Sequence, residues 1–216
     1  MDIRKRHTYF DFENSTAIPI QKAPYSTESG SWVQWVCIAT PKTCGYCASQ
    51  HGRILSPVNP NIIWPPVHDH CRCLIFDVIA LPAGTVTEDG MEGVDYYLFT
   101  HGSLPSNYMT QSEAHLLGWS PREDNLWEIS PGATIGGSRY WNLDYSLPDK
   151  PGRVWYETDF DYDGGTRNAK RIIFSNDGLV FVTFDHYLTF SEVKWEVGWE
   201  AADRDEEEES DDDLHD

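Results

Sequence analysis

Positive charge is what this sequence has least of. Sixteen Lys and Arg stand against 35 Asp and Glu, a formal charge of −19. A chain that grips nucleic acid by general attraction carries the opposite balance, so any polyanion-binding role requires cations concentrated in one place. Long apolar runs are also missing, and no segment reaches the length of a membrane span. The opening residues, MDIRKRHTYFDFENSTAIPIQ, hold cations but no apolar stretch of signal-peptide length and no small-residue cleavage pattern. The expectation is a chain made in the cytoplasm and, if it acts extracellularly, exported or delivered by a route not written there. Cysteine is sparse and confined, with five residues between Cys37 and Cys73. An odd count argues against a simple disulfide framework.

Aromatic residues, by contrast, are abundant. Nine Trp and eleven Tyr argue for a folded protein. Charge and composition divide the chain. Residues 1–30 read as an irregular leader, and residues 31–80 hold every cysteine. Residues 91–192 carry 7 basic and 15 acidic residues and read as a compact domain, and residues 203–216 form an acidic tail with 10 carboxylates and one Arg. Such like-charge blocks self-repel, which predicts disorder for the tail. It serves either to solubilise the chain or to fold over the arginines described below.

Within the middle region, Thr110-Gln-Ser-Glu113 is a capping box opening a short helix, with Gly118 as its stop. Residues 153–162 alternate, placing Trp155, Glu157 and Asp159 on one strand face and Val154, Tyr156, Thr158 and Phe160 on the other. Asn176-Asp177-Gly178 between two apolar runs is a hairpin signal. Helices followed by an antiparallel meander make an α+β domain. On its polar sheet face Glu157, Arg171 and Asp159 join Arg167 and His186 from flanking loops. A carboxylate, an imidazole and two guanidiniums suffice for phosphodiester transfer. The first takes a proton from a 2′-hydroxyl, the second gives one to the leaving oxygen, and the cations hold the phosphate.

The runs LPSNYMTQSEAHLLGW (104–119), PGATIGGS (131–138), LPDKPGRVWYETDFDY (147–162), RNAKRI (167–172) and TFDHYLTF (183–190) resemble the barnase family of bacterial ribonucleases. The resemblance spans residues 91–190. It implies helices packed on a five-stranded antiparallel sheet. It also implies endonucleolytic cleavage of single-stranded RNA through a 2′,3′-cyclic phosphate, with no cofactor. Glu157 falls on the general base, His186 on the general acid, Arg167 and Arg171 on the phosphate-binding arginines, and Asp159 on their aspartate partner. Tyr140, Asn142, Asp144 and Tyr187 fall on substrate-binding positions. Gln111 and Leu143 stand where the family carries a lysine and an arginine, and Asp144 replaces a longer glutamate. These departures predict weaker RNA affinity and a weakened guanine preference. A barstar-like inhibitor or immunity protein and a monomeric state are further expectations from the resemblance.

The segment TPKTCGYCASQHGRIL…WPPVHDHCRC has the spacing of a zinc knuckle, two short-spaced thiol groups separated by a loop. The expected ligands of a structural Zn2+ are Cys44, Cys47 and Cys71 with either Cys73 or His68. Cys71 and Cys73, two apart, project to one side. Two disulfides or free thiols are the alternative. Residues 32–75 resemble the C-terminal end of Mu-type phage head morphogenesis proteins, whose segments precede toxin domains in modular toxins. Two functions follow: a secreted-type endoribonuclease toxin, or an RNA-binding or phage-particle-associated structural protein whose nuclease half no longer cleaves.

Overall fold

A computed structural model describes residues 32–38 and 40–195 of the protein. The expected leader and acidic tail lie outside the described residues. The Cys/His segment forms a three-stranded antiparallel sheet in the order β2-β1-β3, with β1 Val33–Cys37, β2 Ile54–Leu55 and β3 Cys73–Asp77. Helix α1 (Gly45–Gln50) stands between β1 and β2. Strand β1 alternates: Val33, Trp35 and Cys37 turn inward to Cys47, Leu55 and Cys73, while Gln34 and Val36 turn out.

The second sheet has seven strands, β4-β10-β9-β8-β7-β6-β5. Its antiparallel centre is β6 (Thr134–Tyr140), β7 (Trp155–Asp159), β8 (Arg171–Ser175), β9 (Val180–Thr183) and β10 (Ser191–Lys194). The expected five antiparallel strands are thus extended at each edge by a short parallel one, β4 (Ala80–Pro82) beside β10 and β5 (Tyr108–Met109) beside β6. Gly178, at φ 93°, closes the β8–β9 turn, and the Ser175 N–H donates to Leu179 O at 2.8 Å. Register shifts at Gly136 in β6, where a Cβ would collide with Thr158 and Tyr108.

Helix α2 (Val94–His101) packs Val94 and Leu98 on one face of this sheet, against Phe160, Ile172, Phe174 and Val182. Asp95, fully buried, accepts from the Gly84 and Val86 N–H groups at 2.7 and 3.2 Å and from the Thr87 hydroxyl at 3.1 Å, tying the preceding loop to the helix. Helices α3 (Gln111–Leu116) and α4 (Leu126–Ile129) close the β6 end with Trp119, Met109 and Ile135. The capping box has both reciprocal bonds, and the left-handed Gly118 follows the C-cap Leu117.

The other face corrects the expectation of a polar surface. Trp155 joins Ile173, Phe181, Leu179, Leu147 and Phe190 in an apolar cluster that Trp32 and Ile54 of the Cys/His segment complete. The Trp32 ring meets Phe181 edge-on at 6.4 Å, and its Nε1–H donates to Glu192 Oε1 at 3.1 Å. Burying Trp32 and Ile54 here contributes roughly 1.5–3 kcal/mol each. The Cys/His segment is therefore packed onto the sheet instead of standing apart from it. What stays polar is the far end of the face, toward Asp159.

Candidate active site and metal centre

Antiparallel pairing sets the site in rungs, because residues directly opposite one another point the same way. Asp159, Arg171 and Thr183 share one rung; Ser138, Glu157, Ile173 and Phe181 share the next. Glu157 and Asp159 thus project from the same face, as their spacing predicts.

Asp159 is buried and organises both arginines. Arg167 donates to it bidentately, Nε to Oδ2 at 2.5 Å and Nη2 to Oδ1 at 2.7 Å. Arg171 Nε stands 2.9 Å from Oδ1 as an ion pair outside hydrogen-bond geometry. Its Nη1 donates to the carbonyls of Asn168 and Lys170, both at 2.7 Å. Burial opposes the Arg167 charge, but Asp159 outweighs it and raises the guanidinium above its ordinary value. The Arg167 guanidinium also lies 5.7 Å from the Trp119 ring centre.

Glu157 is half-buried and accepts from the Tyr187 hydroxyl at 2.7 Å. Burial first, then the Glu157 charge, push the Tyr187 phenol well above its ordinary value, so it remains a donor. Tyr140 stacks on Tyr187 with ring centres 5.7 Å apart at 19°. His186 is exposed, and both it and Tyr187 have left-handed backbone, φ 58° and 71°. Asp185 holds that conformation. It accepts from Thr183 Oγ1 at 2.8 Å, the Leu188 and Thr189 N–H groups at 3.1 and 2.9 Å, and Thr189 Oγ1 at 2.6 Å. Burial opposes these bonds, yet they keep the Asp185 carboxyl below the usual carboxylate range.

Asn142 and Asp144 are placed differently. Asn142 is buried and spends its amide inside its own loop, Nδ2 donating to Leu147 O at 2.9 Å and Oδ1 accepting from the Leu147 N–H at 3.0 Å. Asp144 accepts from the Ser146 hydroxyl at 2.6 Å. Gln111 donates its main-chain N–H to Ser138 Oγ at 3.2 Å, and Leu143 is exposed. Asp185 and Ser138 are positioning residues that sequence reasoning missed. The short-range Asp/Thr pattern in TFDHYLT is the signal that could have found Asp185.

In the Cys/His segment all five cysteines are thiols. Cys44 N-caps α1, accepting from the Cys47 N–H at 3.4 Å. His68 Nε2 lies 3.2 Å from Cys44 Sγ and 3.3 Å from Cys47 Sγ, while Nδ1–H donates to Asp69 O at 2.8 Å. That outer bond leaves the Nε2 lone pair directed at the thiols, as in metal-binding histidines. Cys47 Sγ and Cys71 Sγ are 3.8 Å apart, which is the separation that bonds of about 2.3 Å in a zinc tetrahedron produce. Main-chain N–H groups of Cys73 and Val67 pull the Cys71 thiol down to about 7, whereas burial and neighbouring thiols push Cys47 up. A dication is what lets such a cluster ionise together. The residues fit a metal, in two overlapping groups that share Cys47: Cys44, Cys47 and His68, and Cys47, Cys71 and Cys73.

Comparison with known proteins agrees with the nuclease half. Residues 93–194 match the family model described as ribonuclease. A ribonuclease of Heyndrickxia coagulans is 44% identical over 103 residues, covering 48% of this chain and 94% of that protein. Ribonucleases of Bacillus intermedius and Bacillus pumilus are 44% identical over 103 residues, and the chain spans 64% of their length. The chain belongs to the ribonuclease family.

Proposed function

We propose that the domain cleaves single-stranded RNA endonucleolytically, by transphosphorylation followed by hydrolysis. The supporting observation is Asp159, one buried carboxylate that gathers Arg167 and Arg171 on the sheet face from which Glu157 projects. Glu157 takes the proton of the 2′-hydroxyl, whose oxygen attacks phosphorus. His186, protonated, gives its proton to the departing 5′-oxygen, leaving a 2′,3′-cyclic phosphate. Water then opens the ring as the two groups exchange roles. Arg167 and Arg171 stabilise the charge that develops on the phosphate oxygens. Tyr187 positions the Glu157 carboxylate by donating its hydroxyl hydrogen to Oε2.

The Cys/His cluster is proposed to hold a structural Zn2+ through Cys44, Cys47, His68 and Cys71, with Cys73 behind them opposite Cys37. The metal supplies cohesion to a segment with a small apolar core. The joined arrangement suits a monomeric toxin delivered to a target cell, its producer guarded by a barstar-like inhibitor.

The test incubates the full chain with RNA in chelator, beside Glu157→Gln and His186→Ala. Cyclic-phosphate termini from the parent, and losses of about 10²–10⁴-fold in either variant, support the reading. Equal cleavage by parent and both variants overturns the assignment of base and acid.

A further inference from the structure

Three thiolates and His68 around a metal leave two of the five cysteines over, Cys37 and Cys73. The β1–β3 ladder brings these two together. They are direct partners across it, and both side chains are buried, at 6% and 7% exposure. The Ile38 N–H donates to Arg72 O at 3.3 Å, and the Val78 N–H donates to Trp32 O at 2.8 Å. Those bonds lie one residue outside the pairs Cys37–Cys73 and Val33–Asp77, so both are pairs of the kind that exchange no hydrogen bonds. In such pairs the Cα atoms stand about 4.5 Å apart and the side chains come closest. A disulfide spans Cα separations of about 4.4–6.8 Å. Burial pushes the Cys37 thiol up, and the Cys73 thiol, within hydrogen-bonding reach, pushes it the same way.

We infer that Cys37 and Cys73 are an oxidisable pair that closes into a cross-strand disulfide while Cys44, Cys47, His68 and Cys71 hold the metal. The choice of this pair rests on the metal reading, since Cys47 Sγ and Cys71 Sγ, 3.8 Å apart, are spared only as ligands. The odd number of cysteines then divides into three ligands and one pair.

The oxidant is a small disulfide. It reaches Cys37 through a cleft of about 610 Å³ that Cys37 lines together with Cys44, Cys47 and His68. The Cys37 sulfur, as thiolate, attacks one sulfur of the oxidant and expels the other as a thiolate. Cys73 then attacks the Cys37 sulfur of the mixed disulfide and expels the second. The proton of each cysteine ends on a departing thiol, so two electrons pass to the oxidant and two small thiols leave.

The link closes residues 37–73 into a loop, and all four proposed metal ligands lie inside it. A disulfide stabilises chiefly by restricting the unfolded chain. The segment then has two staples, a metal that serves in reducing surroundings and a disulfide that serves in oxidising ones. Both act on the part of the chain that seats Trp32 and Ile54 in the apolar cluster of the second sheet.

The experiment treats the zinc-loaded full chain with oxidised glutathione, alkylates the remaining thiols and maps the unreduced peptides by mass spectrometry, with zinc counted before and after. Trypsin cuts after Lys42, Arg53 and Arg72, which puts Cys37, Cys44 with Cys47, Cys71 and Cys73 on four separate peptides. The expected product joins the Cys37 peptide to the Cys73 peptide, retains its zinc and melts about 5–10 °C above the reduced chain. Cys37→Ser and Cys73→Ser should each keep the zinc and lose that rise. Links among Cys44, Cys47 and Cys71 overturn the pair. Zinc lost from Cys73→Ser but kept by Cys37→Ser also overturns it, by making Cys73 a ligand. A chain that holds no zinc yet forms only the Cys37–Cys73 link sinks the metal reading and keeps the pair. A zinc-loaded chain in which both thiols stay reduced does the reverse.

Discussion

Tyr187 donates its hydroxyl hydrogen to Glu157 Oε2 at 2.7 Å, and no other side-chain bond to that carboxylate is seen among the described residues. The donor comes from a loop whose backbone is left-handed at His186 and Tyr187 together. The proposed base and acid are thus positioned by neighbouring residues of one left-handed turn, with Asp185 securing it. A displacement of that turn moves both groups relative to the arginines.

Tyr187→Phe keeps the ring that stacks on Tyr140 and removes only the hydrogen bond. A bond to a charged group is worth about 1.5–3 kcal/mol, so kcat is expected to fall roughly tenfold or more with little loss of stability. Combining it with Glu157→Gln should add almost nothing, because the hydroxyl acts through the carboxylate. Fully additive losses in the double variant would show that Tyr187 acts elsewhere.

Asp159→Asn leaves two guanidiniums beside a neutral amide in a buried position. Arg171 is nearly inaccessible, with 5% side-chain exposure, and Arg167 is 23% exposed. Removing one partner of a buried pair typically costs about 3–5 kcal/mol, and a loss of that order is expected in urea unfolding. Activity should fall as well, since the arginines lose their common anchor. A variant within about 0.5 kcal/mol of the parent, the ordinary range for surface changes, would mean that the Asn168 and Lys170 carbonyls suffice to hold Arg171 and that the Asp159–Arg167 pair adds nothing to stability.

Asp177 supplies a pH dependence. Burial works against its charge, but the hydrogen bonds from Arg153, Ser175 and Lys150 outweigh it and hold the carboxyl well below the usual range. An unfolded aspartate titrates near about 3.9, so between that value and the lower folded one the unfolded chain binds more protons. The stabilisation is therefore complete above about pH 5 and is lost as pH falls through the folded value. The difference in unfolding free energy between parent and Asp177→Asn should be flat from about pH 5 to neutrality and shrink below about pH 4. A difference that does not change with pH would assign the role of Asp177 to turn geometry.

Local signals in this sequence survive into the structure and distant ones do not show beforehand. Thr110 and Glu113 meet within one helical turn, and the alternation from Val154 to Phe160 follows from the pleat, so both are legible. Strand β4 pairs with β10 across more than a hundred residues. Nothing in ALP announces that partner. The burial of Glu192 is equally silent, because it depends on Trp32 approaching from a distant part of the chain. Alternation puts Trp155 on the face of Glu157 and Asp159 but reports only which residues share a side, never what covers it. For the site, the side-chain types and face of Glu157 and Asp159 were legible. That Asn142 would spend its amide on Leu147 was not, since it depends on how the loop closes.

The metal reading makes the last prediction. The three thiols and His68 sit around α1, and the chain from α1 runs through residues 51–53 to Ile54, which enters the sheet's apolar cluster with Trp32. Loss of the metal should loosen that contact and forfeit part of the roughly 1.5–3 kcal/mol contributed by each side chain. At about 2–4 °C per kcal/mol for a chain of this size, chelation or Cys47→Ser should lower the thermal midpoint by several degrees. The parent should carry one equivalent of zinc. Dinucleotide cleavage well below the midpoint should persist, because Glu157, His186 and the arginines make no contact with the cluster. A metal-free parent whose midpoint ignores both chelator and Cys47→Ser would leave the cluster as plain thiols, and abolished dinucleotide cleavage would move the metal into the catalytic step.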